Sequence, residues 1–208
     1  MPDPSAHTSC CAVILAGGRN TRMEGRNKAF LEVGGRTILD RLIAILKPLF
    51  GEILLVTREP ELYRHYPVRV VQDIHAARAS LTGIHAGLTY ATAAFAFVVP
   101  CDLPFLRPAL IQTLLSQIEI EPEVDVVVPL IDGYYEPLCA IYSKRCLPAI
   151  ENQLQREEFQ IKRFFSHVRV KTVAEDLLKH ADERMASFFN VNTPAALKAS
   201  RDLEKESD

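Results

Sequence analysis

Two adjacent glycines, Gly17 and Gly18, close an apolar run through Val13, Ile14 and Leu15, and the residues after them include Arg19, Arg22, Arg26 and Lys28. Glycines leave backbone N–H groups free to close on phosphate oxygens, and they tolerate positive φ. Arg22 offers a planar fork to non-bridging oxygens, whereas Lys28 supplies a compact charge on a flexible stem. Polyphosphate is the guest that this combination predicts. Further along, Asp73 and Asp102 each follow an apolar, β-branched run, and Asp102 stands between Cys101 and Leu103, where a buried strand should end. A carboxylate turned toward phosphate needs a cation between them. Mg²⁺ fits, because it binds through one or two carboxylates plus phosphate oxygens while keeping several waters. Such a set works by positioning and charge neutralisation, the requirements of phosphoryl or nucleotidyl transfer.

Each feature also has a plainer reading. A bare glycine pair can be an ordinary strand-to-helix turn, Asp102 can cap the helix that begins near Pro108, and Asp73 can serve local turn chemistry. Two better-known nucleotide loops are excluded by spacing: Gly18, Gly25 and Lys28 fall out of the Walker A register, and no G-x-G-x-x-G occurs. No Ser-His-Asp arrangement or H-E-x-x-H is present, so the protein itself offers no covalent nucleophile. His65, His75, His85, His167 and His180 form no acid–base constellation and receive no role.

The elements that must position these residues alternate along the chain. Strands are predicted over 11–16, 52–57, 68–72, 95–100, 124–129, 138–143, 168–173 and 188–191, and helices over 37–46, 81–93, 108–117, 147–155, 162–167 and 194–203. This order signals βαβ units and a largely parallel sheet. Pro108 suits a helix start, and Thr193 with Pro194 supplies a cap followed by a first-turn proline. The segment from Gly133 through Tyr134, Tyr135 and Glu136 to Pro137 reads as a hairpin or arm, which adds antiparallel pairing in the second half. Ligands of such sheets bind at the carboxyl ends of the strands, where Lys28, Asp73 and Asp102 are all expected.

With 208 residues, 48% of them hydrophobic, the chain suits one α/β domain spanning 1–208, its ends at 1–8 and 204–208 expected to fray. The formal net charge of -2 excludes a global positive field, so nucleic-acid binding is not expected. The polar start and the lack of a long apolar run predict a cytoplasmic protein without membrane association. Cys10, Cys11, Cys101, Cys139 and Cys146 form no C-x-x-C pair and read as buried, reduced thiols, Cys146 being the least secure.

Leu15, Ala16, Gly17 and Gly18 with Arg22 and Lys28, the strand end Pro100, Cys101, Asp102, Leu103, Pro104, and the late run Asn190, Val191, Asn192, Thr193, Pro194 together resemble the molybdenum cofactor guanylyltransferases. The resemblance runs over nearly the whole chain. It implies a Rossmann-like, three-layer nucleotidyltransferase fold and transfer of GMP from GTP to molybdopterin, with release of pyrophosphate and use of Mg²⁺. It further implies that Leu15, Ala16, Gly17 and Gly18 contact the nucleotide, that Lys28 and Arg22 hold its phosphates, that Asp73 lies in the nucleotide site, and that Asp102 binds Mg²⁺. Other proteins of molybdenum cofactor assembly are the implied partners. Tyr134, Tyr135, Pro137, Asn190 and Asn192 are candidates for the pterin, with capping and turn roles as the alternatives.

The chain departs from the family at three places. The stretch before Lys28 reads Glu24, Gly25, Arg26, Asn27 where members often carry a second glycine pair and an aspartate; Thr57 replaces an asparagine; and Ala79, Ser80, Leu81, Thr82, Gly83 lacks the usual proline. Two rivals remain at this stage: a related transferase using CTP or a sugar-phosphate acceptor, and a nucleotide-binding protein that performs no transfer.

Overall fold

The structure is a computed structural model that describes residues 9–17, 27–73 and 75–205, with side chains to residue 200. Its centre is an eight-stranded sheet built from β1 (Cys10–Leu15), β4 (Ile53–Thr57), β5 (Arg69–Gln72), β6 (Phe95–Pro100), β7 (Val126–Ile131), β8 (Tyr134–Tyr135), β9 (Ala140–Ser143) and β10 (Val170–Ala174). The strand order is β10-β7-β9-β6-β1-β4-β5, with β8 added to β7. Pairing is parallel for β1 with β4 and β6, for β4 with β5 and for β7 with β10, whereas β9 runs antiparallel to β6 and β7. A small antiparallel hairpin, β2 (Glu32–Val33) and β3 (Arg36–Thr37), lies apart from the main sheet.

The apolar runs read as strands because both faces of the sheet are covered. Along β1, Cys10, Ala12 and Ile14 face a layer containing α1 (Ile38–Leu46) and α3 (Pro108–Ile120), while Cys11 and Val13 face α2 (Ser80–Tyr90) and α4 (Leu147–Gln155). The result is three layers, with α5 (Glu175–Ala181) beside α3 and α6 (Pro194–Lys205) closing the chain. Thr37 caps α1 by accepting from the Asp40 amide at 3.1 Å, and the Thr193 hydroxyl accepts from the Ala196 amide at 3.1 Å at the start of α6.

Several sequence expectations need correction. The run at 188–191 is not a strand: Phe188 ends a 3₁₀ turn, and only Val191 is driven fully into the core. The 162–167 segment is a 3₁₀ helix, Ile161–His167, rather than an α-helix. The β2–β3 hairpin and α5 escaped the sequence reading, α5 because its seven residues bury only Leu178 and so show no apolar stripe. All five cysteines are buried and free, Cys146 included, and burial pushes the Cys11, Cys101 and Cys146 thiols up to about 12. Among the described residues no helix is long and apolar enough to cross a membrane.

Candidate active site

Parallel pairing sets the carboxyl ends of β1, β4, β5 and β6 on one rim, with Leu15 opposite both Val56 and Pro100. Since β9 is antiparallel to β6, its first residues reach the same rim. A cavity of about 650 Å³ opens there. Leu15, Ala16, Gly17, Lys28, Asp73 and Asp102 all line it, so the structure brings these six expected nucleotide-site residues together. Gly18 and Arg22 lie outside the described residues, as do Arg19, Gly25 and Arg26.

Lys28 opens a 3₁₀ turn after Asn27, whose side-chain oxygen accepts from the Ala29 amide at 3.1 Å and whose amide nitrogen donates to the Tyr63 hydroxyl at 2.7 Å. That bracing against a fully buried tyrosine aims the lysine along the rim. Its ammonium donates to Asp102 Oδ2 at 3.2 Å and to the side-chain oxygen of Asn192. The run holding Asn192 is tied to the same place, because the Val191 amide donates to the Asp102 carbonyl at 2.9 Å. In turn the Cys101 amide donates to the Leu15 carbonyl at 3.1 Å, joining the ends of β6 and β1. Segments far apart in sequence therefore converge on one carboxylate.

Asp102 is only 8% exposed, and its Oδ1 is buried without a hydrogen-bond partner among the described residues. Burial raises its carboxyl pKa above the ordinary value, with the nearby Lys28 charge pulling the other way. An orphaned buried acceptor costs about 1–3 kcal/mol, so this oxygen is held against the protein's own stability. A divalent cation held by Asp102 would remove that cost. A single buried carboxylate oxygen suits a hard divalent cation that takes few protein ligands.

Asp73 differs. Its Oδ1 accepts from the His75 amide at 3.0 Å and its Oδ2 from the Thr82 hydroxyl at 2.7 Å, with the Arg58 guanidinium 3.9 Å away. Its oxygens are occupied by turn and helix contacts, so the turn reading and the placement at the cavity both hold. Through Thr82 it fixes the first turn of α2. That helix approaches β1 closely, since a Cβ on Gly83 would lie 3.0 Å from Leu15 Cδ2 and one on Gly87 2.6 Å from Val13 Cγ1. Arg78, Ala79, Ser80 and Gly83 thus reach the cavity beside the Gly17 turn, despite the missing proline.

Asp102, at the end of β6, divides the cavity. Gly17, Asp73 and the start of α2 line it on the β1–β4–β5 side and Glu136, Pro137, Leu138 and Cys139 on the β9 side, and Phe188 and Asn190 line it as well. Tyr134 and Tyr135 are not among the lining residues. They sit on β8, 75% and 39% exposed, and Tyr135 packs edge-on against Phe165. The sequence reading passed over Asn27 and Glu136; a charged residue just before the proline that leads into β9 was the available signal for the second.

Residues 12–173 match the MobA-like NTP transferase domain family. A protein of Desulfosudis oleivorans named molybdenum cofactor guanylyltransferase is 40% identical over 91% of this chain and 96% of its own length. The chain belongs to the molybdenum cofactor guanylyltransferase family. Another relative, a probable molybdenum cofactor guanylyltransferase of Pelotomaculum thermopropionicum, is also 40% identical, over 94% of this chain and 93% of its own. Among solved structures, the molybdopterin-guanine dinucleotide biosynthesis protein A of Archaeoglobus fulgidus superposes with a TM-score of 0.83 at 25% identity, covering 94% of this chain and 98% of that one. A CMP:2-keto-3-deoxy-manno-octonic acid synthetase superposes with a TM-score of 0.72 at 14% identity, a likeness of fold alone. Membership of the guanylyltransferase family makes this chain an enzyme of the nucleotidyltransferase class.

Proposed function

We propose that this protein transfers GMP from GTP to the terminal phosphate of molybdopterin, forming the guanine dinucleotide form of the cofactor and releasing pyrophosphate. The observation that carries this reading is the meeting of Lys28, Asn192 and Asp102 in the cavity that Gly17 also lines, with one Asp102 oxygen left unsatisfied. The triphosphate lies across the Gly17 turn, where Leu15, Ala16 and Gly17 contact the nucleotide and Arg22, from the stretch after the glycines, supports its phosphates. Lys28 holds non-bridging oxygens as negative charge grows on them.

Asp102 would hold Mg²⁺, which would supply Lewis-acid chemistry and charge neutralisation there. The acceptor phosphate needs no protein base, because its second ionisation lies at about pH 6. Asn192 orients the Lys28 ammonium, and the apolar wall of Leu138, Ile161 and Phe188 keeps water from competing as acceptor. Guanine rather than cytosine is inferred from the family habit of Ala-Gly-Gly after the leucine. The reaction is placed in the cytoplasm, and other assembly proteins are the proposed suppliers and recipients of the cofactor.

Incubation with molybdopterin, Mg²⁺ and either GTP or CTP tests this directly. Pyrophosphate should appear in step with the guanine dinucleotide; faster turnover of CTP, or no transfer with either nucleotide, overturns the reading.

A further inference from the structure

Glu136 is the only ionisable carboxylate on the β9 side of the cavity among the described lining residues. Its backbone is fixed at both ends: its amide donates to the Pro129 carbonyl at 3.0 Å, and its carbonyl accepts from the Cys139 amide at 3.1 Å. Next to it, the Pro137 carbonyl accepts from the Tyr142 hydroxyl at 2.6 Å. The carboxylate is therefore presented from a braced turn, yet its oxygens have no hydrogen-bond or ion-pair partner among the described residues. Burial raises its pKa above the ordinary carboxylate value.

A half-buried carboxylate facing a binding cavity without a cation is stabilised by a ligand that brings donors. The acceptor's ionised phosphate brings no donors, and it needs no general base. At its other end, however, the acceptor named above carries a pterin, whose 2-amino-4-oxopyrimidine ring sets an amino group and a ring N–H side by side. Two carboxylate oxygens match that donor pair in a bidentate, charge-assisted arrangement. Guanine has the same edge, but the Gly17 turn and the start of α2 lie on the opposite side of Asp102. We propose that Glu136 is the specificity-determining residue that reads the amino and N–H edge of the acceptor's pterin ring, an assignment that rests on the transfer reaction proposed above.

Glu136→Gln keeps the shape and replaces one acceptor by a donor facing the ring N–H. It should raise KM for molybdopterin roughly ten- to a hundredfold, while kcat falls no more than about threefold and calorimetric GTP affinity with Mg²⁺ stays within about twofold. Glu136→Ala should act in the same direction with an unchanged Tm. A phosphate-free probe separates this contact from the transfer itself: wild type should bind 6-hydroxymethylpterin at least about tenfold more tightly than 6-hydroxymethyllumazine, which has an oxo group in place of the amino group, and Glu136→Gln should lose that preference. An unchanged acceptor KM in the variants, GTP affinity falling as far as acceptor affinity, or equal binding of pterin and lumazine by wild type overturns the assignment. Should wild type make no dinucleotide, the transfer reaction fails, and the pterin and lumazine titrations still decide what Glu136 reads.

Discussion

Asp102 holds a charge that the protein alone does not fully satisfy. Burial keeps its carboxyl pKa above the usual 3.8, with Lys28 offsetting part of the effect. Well below that value the side chain is protonated in both folded and unfolded chains, and it imposes no ionisation penalty. As pH rises through the raised native pKa, the folded protein ionises a group that the unfolded chain ionises more readily, and stability is lost. Asp102→Asn carries no such proton. Its Tm should equal wild type in acid and match or exceed it at neutral pH by up to about 2–4 °C, whereas turnover should fall about 10²–10³-fold. Calorimetric melts across pH together with initial rates check both halves; a variant that melts well below wild type at neutral pH contradicts the stored-cost reading. Asp102 was legible in the sequence because a carboxylate following Val98, Val99, Pro100 and Cys101 breaks an otherwise apolar run. Glu136 was not, since a charged residue in an arm between two strands looks like any solvated turn until β9 is seen to lie antiparallel to β6.

At the scale of elements, the fit of α2 against β1 decides where the cavity opens. Because Gly87 meets Val13 and Gly83 meets Leu15, the helix lies close enough for its first turn to line the same cavity as Gly17. Gly87→Ala places a methyl group 2.6 Å from a β-branched, buried side chain. Overpacking of about 1–3 kcal/mol should exceed the gain in helix propensity of about 1 kcal/mol, so Tm should drop by about 2–4 °C and GTP should bind more weakly. Gly51, with open space around it and no left-handed backbone, is the control: Gly51→Ala should leave both unchanged. Equal behaviour of the two variants speaks against the close approach. Strands buried on both faces were readable from sequence as unbroken apolar runs, and their order fell within a residue or two of the observed bounds. The aromatic run at Phe188 and Phe189 misled, because the strand-like composition serves a turn whose Met185 is left-handed, at φ 51°, and whose Val191 amide is used by the Asp102 carbonyl. Pairing outside a sheet leaves no period in the sequence.

For the whole molecule, the order β10-β7-β9-β6-β1-β4-β5 produces a rim whose middle strand, β6, leads directly into Asp102. In the proposed reaction the donor nucleotide would take one flank and the acceptor the other, so that their phosphates would meet in line over Asp102. This division was only half visible in the sequence. The parallel half followed from alternating elements, while the reversal of β9, which turns Glu136 and Pro137 toward the rim, depends on long-range pairing. A crystal of the protein with a non-hydrolysable GTP analogue and Mn²⁺, located by its anomalous scattering, measures the arrangement directly. One metal peak should lie within bonding distance of an Asp102 carboxylate oxygen and of triphosphate oxygens, with Lys28 on the same phosphates and the guanosine on the β1–β4–β5 flank. A nucleotide bound away from the Gly17 turn, or a metal that ignores Asp102, contradicts the central claim.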